Sequence, residues 1–327
     1  MQAQKLEWIR KITTKQIILM CMLMVVIYAF ATNSTDEATN LIESVGSSYA
    51  IPEDANNQQA AQTLFVPHES GLIAKTAVPM VNDQNLSDVE LIFTNLQTGN
   101  LALLENVDGL IPQSARIRDY RVVNDILTLN LSESFLYYHR SIEENLLTSL
   151  VWSMTELPNV KRVRFEIEGD PVQNLNGIID VRHGLTRDMG INMEVAVAEN
   201  FWNTKMLRLY FLASDATPQN MSLIPISRLI SANSALCEYE TAIEALISGS
   251  TSGAYVSAFD PRVTLLERPK VEDHTISLNF SSELFYDKAQ TQISEKVIWQ
   301  LVSTLTSFAE IEAVAIAIEG KPYIFED

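Results

Sequence analysis

The segment VRFEIEGDPV, residues 163–172, returns late in the chain in the similar form VAIAIEGKPY, residues 314–323. Apolar and charged residues alternate in the first copy, which predicts a β-strand with Val163, Phe165 and Ile167 toward a core and the charged residues toward water. The glycine that follows predicts a turn at the end of the strand. The chain therefore specifies the same strand and turn twice.

Other segments repeat at the same shift of about 150 residues. LTLNLSESF, residues 127–135, matches ISLNFSSELF, residues 276–285. Residues 142–157 carry apolar side chains at the spacing of one helix face, and residues 293–308 carry them at the same positions. The pattern predicts two helices that bury the same stripe.

Short sequence motifs predict where one of these helices begins and ends and where a turn lies. Ser141 and Glu144 have the spacing of a capping box, which predicts the start of the first of these helices, and Pro158 predicts its end. Residues 115–132 are typical of a β-hairpin with Asn124-Asp125 at its turn. Each repeat is thus predicted to run strand, helix, strand, strand, helix, strand.

This order predicts the fold class and the domains. A strand-rich sheet with its helices on one face is an α+β fold. We predict two tandem domains of this kind, residues 61–172 and residues 205–323, and a connector over residues 173–204 that is long enough to need some structure of its own.

The amino end predicts the location of the protein. Residues 1–16 form a basic head, and no Lys or Arg occurs between this head and Lys75, so the positive-inside rule predicts a cytoplasmic head and an extracytoplasmic remainder. The uncharged residues 17–32 are either a single transmembrane anchor in the cell membrane or a signal peptide cleaved near Ala31, which would release a secreted protein. Residues 33–60 are polar and acidic and predict a flexible tether.

Charge and cysteine content exclude several classes of protein. The formal net charge is −18, and no cluster of Lys and Arg follows the basic head, so nucleic acid is not a predicted partner. Cys21 and Cys237 provide neither a disulfide framework nor a zinc motif. The 4 histidines are not at metal-ligand spacing, and we predict no cofactor and no metal site.

Three features together resemble one known family. They are the pair LNLSESF and LNFSSELF, the pair SLVWSMTELPNVKRVRFEIEGDP (residues 149–171) and QLVSTLTSFAEIEAVAIAIEGKP (residues 300–322), and GLTRD (residues 184–188). The chain resembles the GerM family of sporulation and germination proteins, whose GerMN domain occurs as a tandem pair behind a membrane anchor or lipid signal. The resemblance implies an interaction domain in the envelope of a spore-forming bacterium, similar in element order to ring-building modules of secretion assemblies. It does not imply catalysis, and the chain lacks a usable lipobox.

Two hypotheses on function remain open. The first is a non-catalytic, membrane-anchored interaction or assembly protein of the cell envelope, which binds envelope proteins or itself. The second is an enzyme or glycan-binding protein directed at peptidoglycan. Glu166 and Glu168 can pair as acid and base, but repeat two has Ala317 in place of Glu166. Tyr137 and Tyr138 can contact a glycan, although a surface loop explains them equally well.

The final strand of repeat two supplies the candidate interface. On its outer side Ala313, Ala315 and Ala317 precede Glu319, whereas repeat one has charged residues on the same side. Small apolar residues in a row make a flat surface that a partner can approach closely. The alternative is that the connector or the other domain covers this face, since buried strands are often apolar throughout.

Overall fold

The computed structural model describes residues 61–79, 85–101, 107–194, 203–214, 222–232, 236–250, 253–287 and 291–323. The predicted head, membrane segment and tether lie outside these residues. The strands within them are β1 (Ala61–Pro67), β2 (Ile73–Pro79), β3 (Ile117–Val123), β4 (Ile126–Leu131), β5 (Arg162–Ile167), β6 (Asp170–Pro171), β7 (Thr204–Ala213), β8 (Leu223–Ser231), β9 (Tyr255–Val256), β10 (Lys270–Glu272), β11 (Thr275–Phe280), β12 (Ala313–Ile318) and β13 (Lys321–Pro322). The α-helices are α1 (Asp88–Asn95), α2 (Glu143–Met154), α3 (Glu238–Ser248) and α4 (Glu295–Leu305).

These strands form three sheets. The first sheet is antiparallel with the order β1-β2-β8-β7-β9, the second has the order β3-β4-β5-β6, and the third has the order β10-β11-β12-β13. In the second and third sheets the two central strands are parallel and each edge strand is antiparallel to its neighbour. The second and third sheets therefore share one topology, while the first sheet takes strands from both halves of the chain.

The α+β class is confirmed, and each repeat has its own apolar core. Helix α2 packs between β1 and β5, and α4 packs between β7 and β12. Leu150 of α2 and Leu301 of α4 occupy matching positions of the predicted stripes, and both are completely buried. The repeated stripe predicted the helices because each must bury its apolar side between the first sheet and the second or third sheet.

The predicted capping box of α2 is wrong. The helix begins at Glu143, and a 3₁₀ turn over Arg140–Ile142 comes before it, in which the amide of Ser141 donates to the ring of His139. The added turn moves the helix start beyond reach of the Ser141 hydroxyl. The helix also ends at Met154, four residues earlier in the chain than Pro158.

Capping boxes occur instead on α1 and α3. Ser87 and Glu90 bond to each other's backbone amides at the start of α1. Cys237 and Glu240 do the same at the start of α3, with the thiol in place of the hydroxyl. The two repeats therefore begin this helix by the same device, which satisfies backbone amides that have no partner in the helix.

Buried polar side chains on α2 bond to the edge of β1. The amide of Phe65 donates to Ser153 Oγ over 2.9 Å, and the hydroxyl of Ser149 donates to the carbonyl oxygen of Phe65 over 2.5 Å. Because β1 is an edge strand with only β2 beside it, this pair replaces bonds that a further strand would provide.

The matching polar pair on α4 bonds to β7. The amide of Tyr210 donates to Thr304 Oγ1 over 3.0 Å, and the side-chain amide of Gln300 donates to the carbonyl oxygen of Tyr210 over 3.2 Å. Both side chains are completely buried. The repeat thus extends to the polar residues that fix each long helix to the first strand of its repeat.

The structure confirms the predicted hairpin and adds strands that the predicted order lacks. Strands β3 and β4 pair around Asn124 and Asp125, which have φ of 51° and 60° as a type I′ turn requires. The predicted order omits β2 and β8, the second strands of the two repeats. Pro225 within β8 has no amide hydrogen and weakens the strand pattern.

The side chain of Asn192 in the connector joins the two repeats. Its amide nitrogen donates to the carbonyl oxygens of Ile73 in β2 and Pro225 in β8, both over 2.8 Å, and its oxygen accepts from the amide of Ile73 over 2.8 Å. The Asn192 side-chain amide therefore bonds to β2 and β8 as the backbone amide of a strand between them would. The two strands pair directly at Lys75 and Leu223. This amide completes the first sheet across the boundary between repeats.

Arg187, in the GLTRD segment of the connector, binds to the carboxyl-terminal end of α2. Its guanidinium donates to the carboxylate of Glu156 and to the backbone oxygen of Trp152, and it lies 4.9 Å from the centre of the Trp152 ring. Arg208 of β7 lies 4.7 Å from the same ring. The buried indole is thus contacted by an arginine from the connector and one from repeat two, which holds three parts of the chain together.

No helix among the described residues has both the length and the apolar character needed to cross a membrane.

Candidate interaction face

The candidate residues of repeat two lie on the side of the third sheet that faces away from the core. Val314, Ile316 and Ile318 of β12 are buried in the core, and Ala313, Ala315 and Ala317 alternate with them and are half-buried. We call the side of the sheet that these alanines share the alanine face. It also contains the β11 residues that pair with them, Thr275, Ser277 and Asn279.

Glu319 lies in the turn after β12 and not in a row with the alanines. Its backbone has φ of 50°, and Gly320 follows with φ of 76°. The Glu319 carboxylate accepts from the amide of Ser282 over 3.2 Å, and Asn279 Oδ1 accepts from the amide of Gly320 over 2.9 Å. These bonds tie the end of β12 to the end of β11.

Repeat one forms the same bonds. The Glu168 carboxylate accepts from the amide of Glu133 over 2.9 Å, and Asn130 Oδ1 accepts from the amide of Gly169 over 2.8 Å. We call this pair of contacts the strap. The strap explains why the chain contains both motifs twice. In each repeat the Asn of the LNLS or LNFS motif accepts from the Gly amide of the IEG motif, and the Glu of the IEG motif accepts from the amide that follows LNLS or LNFS.

The outer side of the second sheet differs from the alanine face. Arg164 and Glu166 occupy the positions of Ala315 and Ala317, as the strand registers show. Arg121 of β3 donates to Glu166 through both terminal nitrogens, at 3.2 and 2.5 Å. We call this cover of long side chains the charged face. Thr128 beneath it is buried, whereas its counterpart Ser277 is exposed.

The charged β10 residues Lys270 and Glu272 pair with Ser277 and Thr275 and lie at the border of the alanine face. Lys270 of β10 forms an ion pair with Glu267 over 3.7 Å, and Glu267 also accepts from the side-chain amide of Asn279. A shallow depression of about 210 Å³ lies among these residues and Ala317. Sequence reasoning missed Ser277 and Asn279 as parts of the face, although their alternation with buried residues in LNFSS was the available signal.

The residues considered for catalysis or glycan binding have other contacts. Glu166 pairs with Arg121, and Glu168 pairs with Arg118 over 2.9 Å. The Arg118 guanidinium, as the main hydrogen-bond donor, lowers the pKa of Glu168. Tyr138 is buried and its hydroxyl donates to Glu143 over 2.8 Å, while Tyr137 is exposed. The described part of the chain contains no group of His, Cys, Asp and Glu that could hold a metal ion.

This chain is similar to GerM of Bacillus subtilis both in sequence and in solved structure. The Spore germination protein GerM of Bacillus subtilis (strain 168) is 23% identical over 295 residues, which cover 88% of this chain and 79% of that protein. The solved structure of the tandem GerMN domains of the sporulation protein GerM from Bacillus subtilis matches with a TM-score of 0.72 at 21% identity, and the match covers 82% of this chain and 94% of that one. This likeness shows that the fold is a pair of tandem GerMN domains.

A family model described as "Germane: Sporulation and spore germination" matches residues 49–173 and residues 208–324. The two matches correspond to the two repeats and together span well over half of the chain. The resemblance that the LNLS, LNFS and IEG motifs indicated is thereby confirmed. This chain belongs to the Germane family of sporulation and spore germination proteins, the family of GerM.

Proposed function

We propose that this protein is a non-catalytic, membrane-anchored interaction protein of the cell envelope that acts in sporulation or spore germination. The observation that carries the proposal is the alanine face, where repeat two has small side chains at the positions of the charged face. Membership of the family supports the role in sporulation or germination. The contacts of Glu166, Glu168 and Tyr138 within the chain support a role without catalysis.

The partner is another envelope protein with an uncharged surface of small side chains. The charged residues lie at the border of the face, and two of them, Lys270 and Glu267, form an ion pair with each other. A charged partner surface would lose its hydration over Ala315 and Ala317 without gaining an opposite charge, which is unfavourable. A flat neutral surface pays no such penalty and can approach the backbone closely.

Site-specific photocrosslinking tests this proposal. A photoreactive amino acid at Ser277 of the full-length protein should capture an envelope protein in intact cells, through a contact peptide without charged residues. The double variant Ala315→Arg/Ala317→Glu copies repeat one, and we expect it to abolish capture while the free energy of unfolding changes by less than about 0.5 kcal/mol. The matched control, Arg164→Ala/Glu166→Ala in repeat one, should leave capture unchanged.

Other results would overturn the assignment. Capture of a second copy of this chain would make the face a site of self-association. Equal capture by both double variants would place the interface elsewhere. Unfolding of Ala315→Arg/Ala317→Glu would mean that the face is internal packing. Sedimentation of the purified protein with cell wall, but with no captured protein, would favour the peptidoglycan hypothesis.

The proposed location rests on residues 1–32 of the sequence. With the basic head in the cytoplasm, residues 33–327 are extracytoplasmic, whether the apolar segment is an anchor or is cleaved. Protease added to intact protoplasts should digest residues 61–323 while a cytoplasmic control protein survives. Survival of both proteins would show that the orientation is reversed.

A further inference from the structure

Strand β3 of repeat one is a long edge strand with an unusual amount of exposed apolar surface. It pairs with β4 on one side only, and every residue from Arg118 to Val123 is exposed. Tyr120, Val122 and Val123 are 36%, 44% and 58% exposed. Its counterpart β10 in repeat two has 3 residues, against 7 in β3. An exposed edge of this length is a template for pairing with another strand.

The turn that follows β3 determines which backbone groups point outward. In a hairpin closed by two residues, the flanking pair Val123 and Ile126 exchanges both backbone hydrogen bonds. Antiparallel pairs alternate between bonded and non-bonded, so the peptide groups of Tyr120 and Val122 point away from β4. These groups are the donors and acceptors that a docked strand would use.

The charges of β3 are complementary to those of a second β3. Antiparallel pairing of two copies with Tyr120 opposite Tyr120 places Asp119 of each copy opposite Arg121 of the other. A two-fold axis at Asp119 or at Arg121 would instead place that charge opposite itself, which is destabilising. The charges therefore favour the Tyr120 register over these two, and in it Arg118 lies opposite Val122, next to the bulge between Ile117 and Asp119.

Both charged side chains retain bonding capacity for a second copy. The terminal nitrogens of Arg121 donate to Glu166, and its Nε is a further donor. Asp119 accepts from Asn130 through Oδ2, which leaves Oδ1 as an acceptor. Tyr120 and Val122 lie on the other side of the strand and pair with Leu129 and Leu127, so the apolar contact between copies would extend the core.

We propose that two copies of this chain associate by antiparallel pairing of their β3 strands about Tyr120, which joins their second sheets into one continuous sheet. A closed two-fold contact of this kind covers both exposed edges at once. The contact is independent of the alanine face, since it uses an edge of repeat one and has a different occupant.

Cysteine crosslinking of the full-length protein in its membrane tests the register. The two native cysteines are first replaced, Cys21→Ala and Cys237→Ser, because serine preserves the helix cap. On this background Tyr120→Cys should form a covalent dimer on mild oxidation, since position 120 faces itself across the axis. Val271→Cys, on the short edge strand of repeat two, is the matched control and should form several-fold less dimer. Absence of dimer from Tyr120→Cys, or equal amounts from both variants, would overturn the proposal.

Exchanging the charges of Asp119 and Arg121 in a pair of variants provides a second test of the same pairing. Asp119→Arg or Arg121→Asp, each combined with Tyr120→Cys, should reduce the dimer several-fold because like charges then face each other. Mixing the two variants should restore a mixed dimer, in which each Arg faces an Asp. Recovery would also show that both variants are folded. If both variants retain the native circular dichroism spectrum but the mixture gives no mixed dimer, the proposed pairing is wrong.

Discussion

The second and third sheets have the same strand order, the same strap and the same helix behind them, yet their outer sides differ. On the charged face, Arg121, Arg164 and Glu166 cover the sheet, and Thr128 and Asn130 beneath them are buried. On the alanine face β12 contributes the small side chains of Ala313, Ala315 and Ala317, and Ser277 and Asn279, which correspond to Thr128 and Asn130, are more exposed.

The comparison shows which residues the fold requires in both repeats and which positions can differ between them. The strap and the helix stripe recur in both repeats because each closes a hydrogen bond or fills the core. The residues at the positions of Arg164 and Glu166 meet no such requirement, since the third sheet forms without them. Their absence from repeat two leaves a row of small apolar side chains on that side of the sheet, which is the basis for the contact that we propose there.

The largest expected effect tests the part that the repeats share. Leu150→Ala and Leu301→Ala should each lower the free energy of unfolding by about 2–5 kcal/mol, because each leaves a cavity in a closed core. Denaturant unfolding of the full chain measures both. Similar losses are expected, since the two residues hold matching positions.

Exposed positions of the same helices provide the control for these variants. Glu144→Ala and Glu295→Ala remove exposed side chains at matching positions of α2 and α4 and should change stability by less than about 0.5 kcal/mol. A loss well under 1 kcal/mol at both leucines would contradict the equivalence of the two cores.

Loss of the Asn side chain of the strap should lower the stability of repeat one more than that of repeat two. Asn130 is buried under the charged face and bonds to both Asp119 and Gly169, so Asn130→Ala should cost about 1–2 kcal/mol. Asn279 is only half-buried, and water can replace its bonds, so Asn279→Ala should cost less. Chemical denaturation of each variant gives the comparison. Equal costs would mean that the charged face does not shield the strap from water.

Sequence reasoning reached those parts of the fold that depend on periodicity. The stripes of α2 and α4, the β3–β4 hairpin and the closing strands followed from alternation and helical spacing, which are local properties. The alanine face was also visible, because residues that alternate along one strand share one side of a sheet.

Contacts between distant segments could not be predicted in this way. Asn192 acts between β2 and β8, and Ser153 bonds to Phe65, yet neither residue belongs to a local pattern that reveals its partner. The pairing of β2 with β8, which merges the first strands of both repeats into one sheet, is likewise a long-range contact. The strap was visible as two repeated motifs, but the bond between them requires the fold.

Removing the charged face should make repeat one resemble repeat two. Arg164→Ala/Glu166→Ala deletes an ion pair that is open to water on the Arg121 side, so the loss of stability should be smaller than for Asn130→Ala. Removing the buried Arg164 Nε, for which the described residues provide no acceptor, should offset part of this loss of stability. Thermal unfolding measures the net change. A loss larger than that of Asn130→Ala would show that the cover, and not the strap, stabilises this side of the sheet.

The smallest expected effect concerns the acid dependence of the strap in repeat one. Hydrogen bonds, first from the Arg118 side chain and then from the Glu133 amide, lower the pKa of Glu168 below its ordinary value of 4.5. A carboxyl group with a lower pKa in the folded state stabilises the protein above its unfolded pKa, and this stabilisation is lost as the pH falls through the folded pKa. The stability difference between wild type and Glu168→Gln should therefore be present at neutral pH and shrink as the pH falls below about 4.5.

Glu319→Gln is the matched variant in repeat two. Among the described residues Glu319 accepts from the Ser282 amide and forms no ion pair, so its replacement should change stability less at neutral pH than Glu168→Gln does. Denaturant unfolding of both variants across this pH range, at low ionic strength so that the Arg118 contact is not screened, provides the measurement. A difference for Glu168→Gln that stays constant with pH would show that the strap in repeat one acts through its backbone bonds and not through the charge of the carboxylate.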